Sequence, residues 1–307
     1  MKETINNKER KGLFYVLLAG TAWGLSGVFG QYLIGAGIPV FILIACRLFF
    51  SGLVLTGLAL KWNRADVVRL LSSKKAMLGI GVFAILGLVL NQYAYLVAIQ
   101  TSNAGTATVL EYLCPIFVLV YTCLKDRTWP DGLDLVAFGL AIFGTFMIAT
   151  HGQWTSLALT PQGLFWGIFS AFTYALYMIV PLNLIREYGS LAVMGVGMLL
   201  ASIFVVPLSG ALTYNWQLDW TLLLALAGMV VIGTIISYTL FLKGTSLIGP
   251  VKSSLLASVE PVAAVIFSAI FLSEHFYAMD IVGMGLIIGA VLLISLKDSI
   301  RAQLKRS

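Results

Sequence analysis

Apolar side chains fill runs of about 20 residues that recur along the chain between short polar breaks, at roughly 13–35, 39–60, 76–99, 104–124, 132–150, 162–182, 190–212, 221–243, 251–272 and 278–296. A helix rises about 1.5 Å per residue and a hydrocarbon core is about 30 Å thick, so each run predicts one spanning helix. The longest breaks, Lys61 to Lys75 and His151 to Pro161, leave no room for a soluble domain. The expected fold is an all-α integral membrane protein with ten transmembrane helices.

Composition supports that class. Of 307 residues 60% are apolar and 10% charged, with mean hydropathy +0.97; soluble domains carry roughly 25% charged residues. The net charge of +6 does not form a nucleic-acid surface, because no Lys/Arg cluster lies on a stretch long enough to fold outside the bilayer. It reads instead as a topology signal. Lys and Arg in the N-terminal tail, the 61–75 and 125–130 connections, Arg186, Lys243, Lys252 and the C-terminal tail make 18 of the 19 basic residues, all on one side. The opposite connections hold none, and Arg47 lies within a span. Basic connections stay inside, so both termini are expected in the cytoplasm of a cell whose cytoplasmic (inner) membrane the chain crosses. The run from Gly12 to about Gly35 exceeds a signal-peptide core and is read as the first span.

The chain also repeats. Gly12-Leu13-Phe14-Tyr15 matches Gly163-Leu164-Phe165-Trp166 at an offset of 151, while Pro115/Pro261, Asp134/Asp280, Gly139/Gly285 and Ile142/Ile288 share an offset of 146. This predicts a tail at 1–12, a five-helix repeat at 13–150, a linker at 151–161, a second five-helix repeat at 162–296 and a tail at 297–307. Five is odd, so the second copy enters from the opposite side. Two inverted-topology halves are the architecture of alternating access.

Several segments carry a family resemblance: Ala19-Gly20-Thr21-Ala22-Trp23-Gly24-Leu25-Ser26, Arg47-Leu48-Phe49-Phe50, Tyr95-Leu96-Val97-Ala98 running into Thr101-Ser102-Asn103-Ala104-Gly105-Thr106-Ala107, Val259-Glu260-Pro261-Val262 and Phe271-Leu272-Ser273-Glu274. In this order, across ten spans, they resemble the EamA branch of the drug/metabolite transporter superfamily. The resemblance implies a ten-helix bundle with a cavity between the halves, and an amino acid or related compound as solute, often moved outward.

Ionisable groups within the spans are the first site candidates, because an unpaired charge near the bilayer centre costs on the order of 3 kcal/mol or more. Arg47 and Glu111 lie at similar depths, about 12 and 10 Å from the outer ends of their spans. They either form a buried ion pair or leave Arg47 to bind a solute carboxylate. Glu260 lies near the midplane with no basic residue within one turn, so it is either held neutral or faces a polar cavity. Pro115 and Pro261 are equivalent, deprive Glu111 and Ala257 of their helical donors, and mark a hinge or the site.

Small residues flank these groups: Ala104, Ala107 and Thr108 beside Glu111, and Ser253, Ala257 and Ala264 beside Glu260. Such stripes line a cavity or let helices approach, as the pairs Gly20/Gly24 and Gly285/Gly289 are expected to do. Trp23 matches Tyr174, and Ser26 matches Tyr177, at the 151 offset. Aromatic walls suit an amphipathic solute, and Asn91, Gln92, Tyr93, Tyr95 and Tyr238 are further candidate linings.

Cys46, Cys114 and Cys123 lie in apolar stretches without paired spacing and read as packing residues, so neither a disulfide framework nor a metal site is expected. Gly24-Leu25-Ser26-Gly27 fits a short intramembrane serine-protease pattern, but the two histidines, His151 and His275, sit at the outer boundary. No nucleotide-binding motif occurs in the sequence. The expected function is therefore a secondary transporter, not an enzyme, moving a small organic metabolite through the bilayer, with export of an amino acid favoured by the resemblance. No cofactor is expected, proton coupling is left open, and the oligomeric state is not read. The alternatives are an importer of an organic cation or nucleotide-type metabolite and, in another class, a membrane-embedded enzyme or scaffold.

Overall fold

The computed structural model describes residues 2–153, 158–217 and 219–304. Positions 154–157 of the expected linker lie outside the described residues, as do Lys305 and Arg306 of the expected tail. Every regular element among the described residues is helical. In chain order they are α1 (Lys2–Gly35), α2 (Val40–Trp62), α3 (Arg64–Ser72), α4 (Lys74–Val82), a π-helical segment Phe83–Val89, α5 (Leu90–Thr101), α6 (Ala104–Glu111), α7 (Cys114–Asp126) and α8 (Gly132–Thr150). They continue with α9 (Pro161–Ile179), α10 (Leu182–Tyr188), α11 (Ser190–Leu208), α12 (Trp220–Ala227), a second π segment Gly228–Ile236, α13 (Ser237–Ile248), α14 (Pro250–Ala257), α15 (Val259–Leu272) and α16 (Ala278–Leu304).

Eight stretches are long and apolar enough to cross a bilayer, from Lys8–Gly35 through Trp220–Ile248, and Val259–Leu272 and Ala278–Ile294 are shorter apolar helices. The protein is a multi-pass membrane protein. Its helix starts are written locally: Asn103 accepts from Thr106 N, Thr160 from Gly163 N, Asp219 from Leu222 N, and Asp131 with Asp134 forms a capping box.

Local features recur 146 residues apart. Helix starts at Ala104 and Gly132 correspond to Pro250 and Ala278, breaks at Tyr112 and Ser258 correspond, and left-handed helix ends fall at Arg127 and Ser273. Asp134 accepts from Asp131 N at 3.0 Å and Asp280 from Tyr277 N at 2.9 Å. The π segments also fall at corresponding places. Packing follows the same exchange: α1 on α13 is matched by α9 on α5, α1 on α14 by α9 on α6, and α1 on α15 by α9 on α7. The pairs α2·α11 and α8·α16 map onto themselves.

Alternate connections gather at opposite ends of the bundle. At one end, Lys252 Nζ meets Glu9 Oε1 at 2.6 Å, and Arg69 donates to the Glu187 carbonyl with its guanidinium over the Tyr188 ring. At the other end, Gln31 bridges Glu274 Oε1 at 2.5 Å and Ala104 N at 2.7 Å, while His151 bonds Asp280.

Three expectations need correction. The 61–75 connection is not merely a polar break: it holds α3, amphipathic, with Val67 and Leu70 buried. The run expected to end at 182 breaks at Pro181 and continues as α10 to Tyr188. Gly285 and Gly289 face open space, where an added Cβ would meet nothing within 4 Å; the close α8–α16 approach is made by Gly144 and Gly283, where a Cβ on either would stand 2.6 Å from the other's carbonyl oxygen. Two residues along a helix is about 200° of rotation, which turns Gly285 away from that seam.

Gly20 and Gly24 do serve packing. A Cβ at Gly24 would lie 2.7 Å from both the Glu260 carbonyl oxygen and the Ala264 nitrogen, backbone atoms that cannot rotate aside. Gly24→Ala is therefore expected to destabilise the protein by about 1–3 kcal/mol, as overpacking does. Gly285→Ala, in open space, is expected to be neutral or stabilising by up to about 1 kcal/mol. Melting curves of the two variants in detergent check both, and equal melting temperatures would contradict the assignment of the seams.

Candidate functional site

Charged side chains inside apolar spans need partners, and the helices bring all three to one place. Arg47 of α2, Glu111 of α6 and Glu260 of α15 line a single cavity of about 420 Å³. Its aromatic wall holds Trp23 from α1, Tyr174 and Tyr177 from α9, and Tyr238 and Phe241 from α13. Trp23 packs edge-on against Tyr238, ring centroids 5.7 Å apart, and Tyr174 lies 5.6 Å from Tyr177. Asn91, Gln92 and Tyr95 of α5 add polar groups, and Met178, Met194 and Met198 add adaptable thioethers.

The structure does not join Arg47 to Glu111 in a salt bridge, which corrects the ion-pair reading. Arg47 Nε donates to Thr234 Oγ1 at 2.9 Å and its guanidinium lies 3.5 Å from the Gly233 carbonyl, both on the second π segment. Glu111 instead accepts from Asn91 Nδ2 at 2.9 Å. The reason is geometric: matched depth does not set rotation, and α2 faces the π segment, while α6 faces α5 and α9. Each ionisable group is held by neutral partners, and neither is paired with the other.

Glu260 is not alone either. Tyr112, at the break between α6 and α7, places its hydroxyl 3.1 Å from Glu260 Oε2 and 2.8 Å from the Ala257 carbonyl. That carbonyl is the one that Pro261 deprives of its helical donor. Pro115 and Pro261 sit in the first turn of α7 and α15, one turn beyond true breaks in the helix, and Pro115 lines the cavity. Tyr95 bonds Thr108, whose own hydroxyl donates to Ala104 O, so Tyr95 is the donor in that pair.

Tyr93 does not reach the cavity. Its ring packs between Phe41 and Trp166, at 6.4 and 5.6 Å, because it stands about 200° around the helix from Asn91. Sequence reasoning missed Tyr112 and Thr234. The signal for Tyr112 was its place directly after Glu111 and ahead of Pro115; Thr234 had none.

The cavity lining runs to Ile185 and Ser190, at the end of the bundle that carries the basic connections, and stops at Tyr95 short of the Gln31–Glu274–Ala104 bridge. A separate groove of about 770 Å³, walled by Phe49, Phe50, Leu212 and Trp216 among other apolar residues, faces outward and offers no charged group. Such a surface is what acyl chains cover.

A family model described as the EamA-like transporter family matches residues 10–150 and again residues 161–296. The chain is similar to YicL of Salmonella typhimurium (strain LT2), described as an uncharacterized inner membrane transporter, with 37% identity over 295 residues, 96% of this chain and 98% of that one. It is also similar to the threonine/homoserine exporter RhtA of Escherichia coli (strain K12), with 26% identity over 200 residues, 64% of each chain. A solved crystal structure shares the fold at a TM-score of 0.61, with 14% identity over 95% of this chain and 97% of the other.

The Asn91–Glu111 bond gives a direct check on this geometry. Asn91→Leu removes the donor from a buried carboxyl oxygen and is expected to cost about 1–3 kcal/mol. Melting in detergent measures it; an unchanged melting temperature would mean that Glu111 has another partner.

Proposed function

The chain belongs to the EamA-like transporter family, and on that premise we propose that it exports an amino acid or a related small zwitterion across the cytoplasmic membrane by alternating access. The observation that carries this reading is the coexistence, in one aromatic-walled cavity, of a guanidinium and two carboxyl groups that do not pair with each other. Arg47 presents donors for a solute carboxylate, and Glu260 or Glu111 meets its ammonium group. Trp23, Tyr174, Tyr177 and Tyr238 receive the apolar part.

The proposed architecture is ten spans in two inverted five-helix halves, 13–150 and 162–296, with both termini cytoplasmic. It is supported by the local features spaced 146 residues apart, by the exchange pattern of helix packing and by the double match of the family model. The clustering of basic residues at one end of the bundle supports the orientation. In that orientation the cavity reaches the cytoplasmic end, where an exporter loads, and the Gln31–Glu274–Ala104 bridge closes the outer end. The threonine/homoserine exporter among its relatives favours the same direction and solute class. The excess of two carboxyl groups over one guanidinium favours the second reading, an importer of an organic cation. For the protease class, Ser26 lines the cavity while His151 is bonded to Asp280 at the far end.

Single cysteines at Asn63 and at Gln153, labelled with an impermeant reagent on whole cells, test the orientation. Labelling at 153 and protection at 63 are expected, and the reverse would overturn the proposed topology. Flux of amino acids in proteoliposomes tests the solute reading. Arg47→Gln removes a charge-assisted bond worth about 1.5–3 kcal/mol, so the apparent affinity for a zwitterion should fall roughly tenfold or more. Glu260→Gln should keep the fold and abolish transport or its pH dependence. Unchanged flux in both variants, at every pH tested, would remove this cavity as the solute path.

A further inference from the structure

Two helices broken ahead of proline meet through one phenol. Pro261 has no N–H, so the Ala257 carbonyl loses its helical donor, and the chain breaks at Ser258 between α14 and α15. The corresponding position in the first half is Tyr112, where α6 ends. Both places share the backbone break, but only the first carries a phenol, and it reaches across to the second: Tyr112 Oη lies 2.8 Å from Ala257 O and 3.1 Å from Glu260 Oε2.

A phenol has one hydrogen to give and lone pairs to receive another. If Glu260 carries a proton, it donates to Tyr112 Oη, Tyr112 donates to Ala257 O, and all three groups are bonded. If Glu260 is ionised, one hydrogen faces two acceptors. The charged acceptor takes it, because charge-assisted bonds are the stronger kind. The Tyr112 O–H then turns to the carboxylate, and the Ala257 carbonyl, which lines the cavity, gives up its protein donor and is left to cavity water. The balance is simple: the Glu260 O–H bond breaks and its proton leaves to water or solute in the cavity, while Tyr112 keeps its own proton and only reorients.

We propose that Tyr112 transmits the protonation of Glu260 to the elbow between α14 and α15, latching that elbow through Ala257 when Glu260 is protonated and releasing it when Glu260 ionises. This rests on the transport reading above and deepens it by naming the proton as the coupling ion and Tyr112 as the positioning residue. Other groups bear on Glu260 from the surrounding helices: Arg47 of α2, Tyr95 of α5, Glu111 of α6, Cys114 of α7, Tyr174 and Tyr177 of α9, and Tyr238 of α13. On α1 the facing group is Trp23, which does not titrate, and on α14 Lys252 is turned outward to Glu9. None of these holds the Ala257 carbonyl, so Tyr112 separates the latch from the general electrostatics of the cavity.

The test uses the full chain in nanodiscs with no solute, and two readouts. In infrared difference spectra, a carboxylic-acid C=O band that disappears in Glu260→Gln belongs to Glu260. In Tyr112→Phe that band should move to higher wavenumber, because the acid proton loses its acceptor. Spin labels at positions 74 and 252, with the native cysteines replaced in every variant alike, report the elbow by their distance distribution. The wild-type distribution should shift with pH, Tyr112→Phe should lose that shift, and Glu260→Gln should hold the acid distribution at every pH. A band unmoved in Tyr112→Phe, or a Tyr112→Phe distribution that follows pH as the wild type does, overturns the proposal. Should Tyr112→Phe not yield folded protein, Glu260→Gln alone decides, since a shift with pH in that variant also overturns it. Neither readout requires transport, so failure of the flux experiment leaves the latch standing, and normal flux beside an elbow indifferent to pH defeats only the latch.

Discussion

A bilayer offers no partner to a bare backbone carbonyl, and most of this structure follows from that constraint. Continuous helices satisfy it without help. Where proline removes a donor, the carbonyl must be turned to another group of the protein or to a wet cavity. The Ala257 carbonyl finds Tyr112, a side chain from the other broken helix, and both breaks open beside the same polar space. The cavity is thus less a hole left in the packing than the region where irregular backbone is tolerated.

The same constraint governs the charges. An ion pair between Arg47 and Glu111 would have satisfied both and closed the middle of the bundle around a neutral knot. Instead Arg47 is held by the Thr234 hydroxyl and Glu111 by the Asn91 amide, with Tyr112 at Glu260. Neutral partners orient a charge without cancelling it. On the proposed reading, a cavity built this way keeps its electrostatic specificity for the solute, at the cost of burying groups that must each stay hydrogen-bonded.

Backbone and chemistry are not duplicated to the same degree. Helix starts, breaks and left-handed ends recur 146 residues apart, yet the positions that matter differ: Glu111 stands against Ala257, Tyr112 against Ser258 and Cys114 against Glu260. The repeated backbone supplies equivalent bends, and the unlike side chains supply a donor on one side and its acceptors on the other. On the proposed mechanism, that asymmetry lets two similarly built halves hold each other in one arrangement.

Length and hydropathy were enough to place helices along the chain, because burial in lipid leaves a run of apolar residues that no other fold explains. The scarcity of charge inside those runs singled out Arg47, Glu111 and Glu260, and all three line one cavity. The prolines marked the breaks to within a turn. What the chain by itself could not supply was rotation and neighbour. Tyr93, beside Asn91 in sequence, faces Trp166, and Gly285, two residues from Gly283, faces away from α8. Thr234 became the partner of Arg47 only through the packing of a π segment against α2. Depth in a membrane is written in sequence position at about 1.5 Å per residue, whereas azimuth depends on which helices pack together, and that is decided by contacts among residues far apart in the chain.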